Sequence, residues 1–342
     1  MKQRLTPLAI GVLAPVALAL LIGAVVIALT GGNVSTAYSA LWTGAFGEAY
    51  QRSETIVRAV PLLFTGLAVA VAFRAGIWNI GAEGQLLVGA LAVAAVARVG
   101  ETWPAWALIP LCLTAAVVSG SLWSAIAAFL KIRRQVPEVI STIMLNFLAI
   151  NLVGALIHGP MMKKSGYYPE TEPLPLAAVL PRLFPPNRIH AGVLIAVLAA
   201  VLAGVWLFRT VHGYRVRMVG INAQAARSAG FPTTRIVWQV FLLSGALAGL
   251  CGGVELMSVT NTLSPSFSPG WGYTAIAVAL LGGLQPAGVA LAALLFGALD
   301  AGAAAMESQA GVSHVVVEVI QGVIILAVAI RAALAWRAAP ET

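Results

Sequence analysis

The sequence predicts an all-α polytopic membrane protein with about ten transmembrane helices, in a single domain over residues 1–342. Of its residues, 60% are hydrophobic and only 9% are charged, whereas soluble proteins carry about 25% charged residues. The mean hydropathy is +0.93. Apolar runs recur between short charged or Pro- and Gly-rich segments, and most are close to the roughly 20 residues that a helix needs to cross a bilayer.

The apolar runs, bounded by charge, proline and glycine, predict the spans in order. They are expected at 8–29, 57–73, 84–98, 105–130, 138–157, 191–208, 238–258, 272–284, 287–304 and 314–331. The eighth and ninth are short and closely joined, so a single bent span is the alternative. The first follows the charged segment Met1–Arg4 and is too long for a signal peptide, whose apolar region has roughly 7–15 residues. We therefore expect it to be retained.

The basic residues predict the orientation of the chain, with both termini in the cytoplasm. Segments assigned to the cytoplasm carry most Lys and Arg residues, while the short outer loops carry only Arg52, Arg58 and Arg98. This asymmetry fits the positive-inside rule. The net charge of +8 is thus interpreted as an orientation signal in preference to nucleic-acid binding. Loop 158–190 is rich in proline and is expected to form an ordered extracytoplasmic cap or short helices.

A polar, glycine-rich segment, Gly76–Gln85, lies between the second and third spans. A charge at the centre of a membrane costs about 2.5–3.5 kcal/mol, so such residues usually face a substrate path. Broken backbone at this depth is tolerated only within protein or along a water-filled cavity. We therefore predict that Asn79, Glu83 and Gln85 belong to a substrate pathway or gate. A structural bridge from Glu83 to Arg74 or to a neighbouring helix is the alternative.

If this segment is helical from Asn79, then Asn79 and Glu83 share one face and Gln85 points elsewhere. The fifth span similarly places Glu138, Thr142 and Asn146 at i, i+4 and i+8, on one face of a helix. Thr142 and Asn146 could line a translocation path, or they could fasten the bundle by interhelical hydrogen bonds.

Two further patterns concern packing and charge at the helix ends. Glu138 lies close to Lys131, Arg133 and Arg134 and is expected to be an interfacial ion-pair partner. Gly245, Gly249 and Gly253 repeat every fourth residue in the seventh span, which is typical of helices that approach closely.

The polar stretch 209–237 has the composition of a structured cytoplasmic loop. A short helix is predicted from Ala223 to Ala229, with Asn222 as its N-cap and Gly230 within its stop signal. A short capped helix on the cytoplasmic side suits docking onto a soluble partner.

Several classes of chemistry have no support in the sequence. Cys112 and Cys251 stand alone in apolar runs, without the spacing of a disulfide framework or zinc site. No Gly-x-x-x-x-Gly-Lys-Ser/Thr phosphate loop, His-Glu-x-x-His metal site or Ser/His/Asp arrangement is found. We expect a chain that is not an enzyme and binds no metal or cofactor, so that any ATP is used by a separate subunit.

Four blocks resemble the permease subunits of bacterial ABC importers in the branched-chain amino acid and simple-sugar permease superfamily, specifically its nucleoside-type branch. The blocks are Gly76–Gln85 (compare NIGxEGQ), Pro137–Asn146 (NEVISTIMLN), Gly220–Gly230 (GxNPxAARYAG), and Gly272–Gly282 with Pro286–Gly288 (GYxxIAVALLG and PxG). Departures from these patterns occur at Pro137, Ala223, Gln224 and Ser228.

The resemblance implies a type II importer permease of the bacterial cytoplasmic membrane. It would pair with a second, related permease, with cytoplasmic ABC ATPases and with an extracytoplasmic substrate-binding lipoprotein. The loop at 209–237 would couple to the ATPase through Gly220, Asn222, Ala225, Ala226, Arg227 and Gly230. Nucleosides are the expected substrates. The alternatives are simple sugars, branched-chain amino acids or, in another class, an autonomous ion-coupled carrier.

Overall fold

The computed structural model describes residues 5–164 and 167–337, and this part of the chain forms 13 α-helices. Seven are long and apolar enough to cross a membrane. The chain is therefore a multi-pass membrane protein, as the composition predicts. The segment Met1–Arg4, with the predicted cytoplasmic start of the chain, lies outside the described residues.

The helix bounds follow most of the predicted spans. In chain order the helices are α1 (Leu5–Leu29), α2 (Val34–Phe46), α3 (Ala49–Arg74), α4 (Ala82–Val99), α5 (Ala105–Arg134), α6 (Glu138–Ile157), α7 (Ala191–Arg209), α8 (Val211–Ile221), α9 (Ala223–Ser228), α10 (Thr233–Glu255), α11 (Trp271–Leu281), α12 (Pro286–Ala310) and α13 (Val315–Arg337). The predicted spans correspond to α1, α3–α7 and α10–α13. Shorter apolar stretches occur in α1, α11 and α13.

Two helices, α2 and α8, have no counterpart among the predicted elements. Each begins at a side-chain cap. Asn33 Oδ1 accepts a hydrogen bond from Thr36 N–H, and the Thr210 hydroxyl accepts one from Gly213 N–H. Both are short. With 13 residues, α2 spans about 20 Å at 1.5 Å per residue. Their length and weaker hydrophobic signal explain why a search for spans misses them.

The eighth and ninth predicted spans are two helices, so the alternative of one bent span is wrong. Gly283 and Leu284 adopt φ values of +62° and +55° between α11 and α12. The turn is tight, because a Cβ on Gly282 would lie 2.4 Å from the backbone nitrogen of Val289. With 11 residues, α11 spans about 16 Å, roughly half of a 30 Å hydrocarbon core.

Helix α10 lies at the centre of the bundle and packs against α3, α4 and α5. Its glycines allow direct backbone contact: a Cβ on Gly249 would lie 2.2 Å from the Ala116 carbonyl oxygen, and one on Gly245 would lie 2.4 Å from that of Gly120. The close approach predicted from the glycine repeat is confirmed.

Loop 158–190 is ordered in its described part. It contains one short 3₁₀ turn, Leu176–Ala178. The backbone N–H groups of Thr171, Leu174 and Leu180 donate to carbonyl oxygens within residues 257–263, at 2.8–3.0 Å. The loop therefore packs against the end of α10, where residues Leu256–Thr260 continue as a π-helix.

Replacing Gly249 with valine is expected to destabilise the protein, because the added carbon would meet the Ala116 carbonyl group. Overpacking of this kind costs about 1–3 kcal/mol, measurable as a lower thermal unfolding midpoint in detergent. Gly322→Val in α13 is the matched control, since a Cβ there has no neighbour within 4 Å. An equal loss of stability in the two variants would contradict the proposed packing.

Candidate functional site

The chain between α3 and α4, residues 75–81, forms a break in the helical structure. Asn79 Nδ2 donates to Ser244 Oγ at 2.8 Å, and Ser244 Oγ donates to the Ala68 carbonyl oxygen at 2.8 Å. Ala68 precedes the end of α3 at Arg74 by six residues, or about 9 Å along the helix. The break therefore turns back into the bundle, deeper than the helix end at which the sequence alone would place it.

Within the break, Asn79 and Gln85 pair with each other. Asn79 Nδ2 donates to Gln85 Oε1 at 3.3 Å, and Gln85 Nε2 donates to Asn79 Oδ1 at 3.2 Å. Helix α4 begins only at Ala82, so Asn79 is outside the helix and shares no helical face with Glu83. The expectation that Gln85 points away from Asn79 required a helix that begins at Asn79. It is wrong because α4 begins only at Ala82.

Helix α6 supplies two side chains that bond the backbone of the break. Asn146 Oδ1 accepts from Gly84 N–H at 2.8 Å, and Asn146 Nδ2 donates to the Ile80 carbonyl oxygen at 2.9 Å. The Thr142 hydroxyl accepts from Ile80 N–H at 3.3 Å. Both side chains have no exposed surface. The shared face predicted from their spacing is the face that meets the break.

Glu83 faces the start of α11. Its Oε2 accepts a hydrogen bond from Gly272 N–H at 2.7 Å, and the residue is only 4% exposed. The first N–H groups of a helix lack partners and carry partial positive charge, so a carboxylate stabilises them. Arg74 instead donates to the carbonyl oxygens of Gly283 and Leu284, at 3.0 Å each. The bridge from Glu83 to Arg74 is not formed, whereas the bond to Gly272 joins Glu83 to a neighbouring helix, which is the other structural alternative.

The structure thus brings all five predicted pathway residues into one buried network, which we call the break network: Asn79, Glu83, Gln85, Thr142 and Asn146. In the described part of the chain, none of their buried side-chain nitrogen or oxygen atoms lacks a hydrogen-bond partner. Asn79, Thr142 and Asn146 bond backbone groups at and beside the break. Gln85 bonds the side chain of Asn79, and Glu83 bonds the start of α11. A direct contact with substrate stays a prediction.

The predicted ion pair at the start of α6 is present. Lys131 Nζ lies 2.6 Å from Glu138 Oε2. Glu138 Oε1 also accepts from the backbone N–H of Trp78, at 3.4 Å. Glu138 therefore ties the break to both α5 and α6.

A second group of charged residues lies toward the opposite end of α3. Their positions in the sequence do not indicate that they contact one another. Arg58 Nη1 lies 2.6 Å from Asp300 Oδ2, Arg188 Nη1 lies 3.1 Å from Glu54 Oε2, and His314 Nε2 lies 3.6 Å from Asp300 Oδ1. We call these five residues the outer network. They come from four separate segments, and only Glu54 and Arg58, at i and i+4, give a local signal.

Buried polar atoms without a hydrogen-bond partner concentrate around the outer network. Within the described residues they belong to Gln51, Glu54, Arg58, His190, Glu255, Ser258, Thr260 and Asn261. Glu255, at the end of α10, is 5% exposed. An unpaired buried polar group costs about 1–3 kcal/mol, and π-helices such as 256–260 are frequent at functional sites. This pattern favours a region that opens to water over a permanently sealed one.

His190 belongs to the same region and lies just before α7. It is 1% exposed. Burial, and then the nearby charge of Arg188, lowers the pKa of His190 to about 4. Its imidazole is therefore neutral at pH 7 and adds no positive charge to the outer network.

The predicted cytoplasmic loop helix is present as α9. Asn222 Oδ1 accepts from Gln224 N–H at 3.0 Å and from Ala225 N–H at 2.9 Å, which confirms the N-cap. The helix ends at Ser228, one residue earlier than predicted, and Gly230 follows with φ +81°.

Two of the predicted docking residues are not exposed: Ala226 in α9, and Gly220, which is half-buried at the end of α8. Ala225 and Arg227 are exposed, whereas Ala226 is 5% exposed and packs inward. Phe231 N–H donates to the Ala226 carbonyl oxygen at 3.0 Å. The side chains available to a partner are therefore those around Ala226, because Ala226 itself anchors the short helix to the protein.

The end of α8 touches the break directly. A Cβ on Gly220 would lie 2.0 Å from the Arg74 carbonyl oxygen, and one on Gly76 would lie 3.5 Å from Gly220 Cα. Gly76 has φ +70°, a conformation that favours glycine. Loop 209–237 and the break are thus in backbone contact, which neither sequence block indicates by itself.

The sequence is similar to a known protein family and to several named relatives. A family model described as a branched-chain amino acid transport system permease component matches residues 51–329. The guanosine ABC transporter permease protein NupP of Bacillus subtilis is 39% identical, over 96% of this chain and 95% of its own. A glucose ABC transporter permease protein of Haloferax volcanii is 39% identical, over 90% and 83%. A second Bacillus subtilis guanosine permease protein, NupQ, is 29% identical, over 71% and 78%.

Replacing Asn146 with alanine is expected to lower stability by about 1–3 kcal/mol, because it leaves Gly84 N–H and the Ile80 carbonyl group without partners. Asn151→Ala is the matched control on the same helix. Asn151 is exposed, and its Nδ2 donates only to the Phe147 carbonyl oxygen. Thermal unfolding in detergent compares the two, and equal midpoints would refute a fastening role for Asn146.

Proposed function

Since this chain belongs to the family of branched-chain amino acid transport system permease components, we propose that it is the transmembrane pore subunit of an ATP-driven nucleoside importer. The observation that carries the proposal is its similarity, over nearly the full length of both chains, to a permease protein of a guanosine ABC transporter. The chain would not be an enzyme and would bind no cofactor. ATP would be used by a partner subunit.

The proposed assembly contains a second, related permease. Two guanosine permease proteins of one organism, NupP and NupQ, both match this chain, which supports a heterodimer of similar subunits. A cytoplasmic ABC ATPase would dock on α9, and an extracytoplasmic lipoprotein would deliver the substrate. The protein would lie in a bacterial cytoplasmic membrane with both termini in the cytoplasm, the orientation that its basic residues favour.

We propose a coupling route through backbone contacts. A movement of α9 on the ATPase would shift α8, and the contact of Gly220 with the Arg74 carbonyl group would pass that shift to the break. Glu83 bonds the start of α11, so the break and α11 would move together. Packed elements of this kind have discrete arrangements, which suits a gate with two states.

The outer network would line the extracytoplasmic mouth of the pathway. In the present conformation its region contains buried polar atoms without partners, which hydration would satisfy on opening. The break network would hold the cytoplasmic gate, where Asn79, Glu83, Gln85, Thr142 and Asn146 keep the broken backbone bonded.

Glucose is a second candidate substrate, because a glucose ABC transporter permease protein shows the same percentage identity over a somewhat smaller share of both chains. An autonomous ion-coupled carrier is a candidate from another class, with its site also at broken helices near the membrane centre. The energy source distinguishes it from an ABC importer.

Proteoliposomes that contain the chain with its permease and ATPase partners are expected to take up labelled guanosine only in the presence of ATP and the delivery protein. Unlabelled guanosine, adenosine or uridine should compete better than glucose, ribose or leucine. Stronger competition by glucose would select the sugar alternative. Uptake by the chain alone on an ion gradient, without an ATPase, would contradict the importer function.

Reversing the charge of Arg227 is expected to weaken association with the ATPase at least about tenfold, because a mismatched charge in an interface costs several kcal/mol. Arg133→Glu is the matched control, since Arg133 is also exposed but lies at the end of α5. Co-purification of the ATPase and ATP-dependent uptake measure the effect. Unchanged co-purification of Arg227→Glu would contradict docking on α9.

A further inference from the structure

A groove of about 480 Å³ lies between α3, α7 and α12, separate from both networks. Its walls are almost entirely apolar, and its polar side chains, Arg209 and Gln285, are near the adjoining ends of α7 and α12. Pockets that hold small organic ligands measure about 300–1,000 Å³. The groove is thus large enough to hold part of an amphipathic molecule with its polar end at Arg209.

The groove has the length of one membrane leaflet. Along α7 it extends from Val197 to Arg209, which is about 18 Å at 1.5 Å per residue. Half of the hydrocarbon core is about 15 Å. Gly204 forms part of the wall, and a Cβ there would meet only Pro286, at 3.8 Å. The space beside Gly204 is therefore open to an aliphatic chain that runs along α7.

Positive charge collects at the polar end of the groove. Arg209 is exposed, and Arg74 and Arg217 lie over the ring of Phe208, with Cζ at 5.5 and 5.1 Å from its centroid. The hydrogen bonds of Arg74 and Arg217 go to backbone carbonyl groups, including that of Leu207.

No carboxylate in residues 5–164 and 167–337 forms an ion pair with any of these three arginines. Three guanidinium groups thus stand beside the apolar groove without a counter-charge from the described chain. A phosphate can accept paired hydrogen bonds from a guanidinium group, and basic pockets between transmembrane helices on the cytoplasmic side are sites for lipid headgroups.

We propose that the groove between α3, α7 and α12 binds an anionic phospholipid, with one acyl chain along α7 and its phosphate at Arg209. Arg74 and Arg217 contribute attraction without requiring direct contact. A zwitterionic lipid would fill the groove but would also bring a cationic ammonium group near the arginines. A free phosphate would meet the charges but leave the apolar walls uncovered. The proposal is independent of the transported substrate.

The test uses the full chain, purified in a neutral detergent and stripped of lipid. It is titrated with phosphatidylglycerol, phosphatidylcholine or inorganic phosphate, and bound lipid is counted by native mass spectrometry. Phosphatidylglycerol is expected to bind at least about tenfold more tightly than phosphatidylcholine, because the ammonium of choline cancels the phosphate charge and is repelled by the three guanidinium groups. Inorganic phosphate alone should bind weakly.

Two pairs of variants separate headgroup from chain. Arg209→Gln should remove the preference for phosphatidylglycerol. Arg133→Gln should keep it, because Arg133 does not line the groove; it is a matched control, since both arginines are exposed at helix ends. Gly204→Leu should fill the groove and lower the affinity for both lipids, while Gly154→Leu should not, because a Cβ at Gly154 has no neighbour within 4 Å. The unfolding midpoint of each lipid-free variant checks that its fold is intact.

Four outcomes of the lipid titrations would overturn the proposal, and a fifth concerns assembly. They are equal affinity for the two lipids, equal losses in Arg209→Gln and Arg133→Gln, binding of inorganic phosphate as tight as that of phosphatidylglycerol, and wild-type affinity in Gly204→Leu. Displacement of the lipid on assembly with the second permease would assign the groove to that subunit and would also overturn it. Nucleoside uptake is a separate measurement, so failure here leaves the importer function untouched.

Discussion

A backbone that leaves the helix inside a membrane must find every hydrogen bond within the protein, because the hydrocarbon core offers no water. The break between α3 and α4 meets this requirement through side chains from several helices. Asn146 bonds the backbone at the end of the break and at the start of α4, and Asn79 reaches α10 through Ser244. Glu83 accepts a hydrogen bond from the first turn of α11. Helices α4, α6, α10 and α11 are positioned around these bonds.

The two polar regions of the bundle differ in how completely they are bonded. The break network has partners for its buried polar atoms, whereas the unpartnered buried atoms of the described chain gather around the outer network. A fully bonded region resists hydration, and an underbonded one gains hydrogen bonds when water enters. For a transport protein this difference supports an outer mouth that opens readily and an inner gate that requires force from a partner.

In the proposed coupling route, glycine would allow the transmission of such a force. Gly249 brings α10 against the backbone of α5, and Gly220 brings α8 against the break. Contacts between backbones have little freedom to absorb a displacement by changing rotamers, so movement of one element shifts the next. The arginines around Phe208 have another consequence, since they leave positive charge beside an apolar groove where a lipid can compensate it.

The sequence by itself determined the features that depend on local order: the apolar runs of α1, α3–α7 and α10–α13, the Asn222 cap, the ion-pairing role of Glu138 and the glycine face of α10. Each is set by neighbours within a few helical turns, where spacing fixes the geometry. Only the tertiary structure decided the partners of Asn146 and Glu83, which lie 62 and 189 residues away along the chain, and the assembly of the outer network from four segments. It also showed that Ala226 faces inward and that Gln85 turns to Asn79. Spacing could not decide these contacts, because they depend on how helices distant in sequence pack and on which side chains then meet exposed backbone.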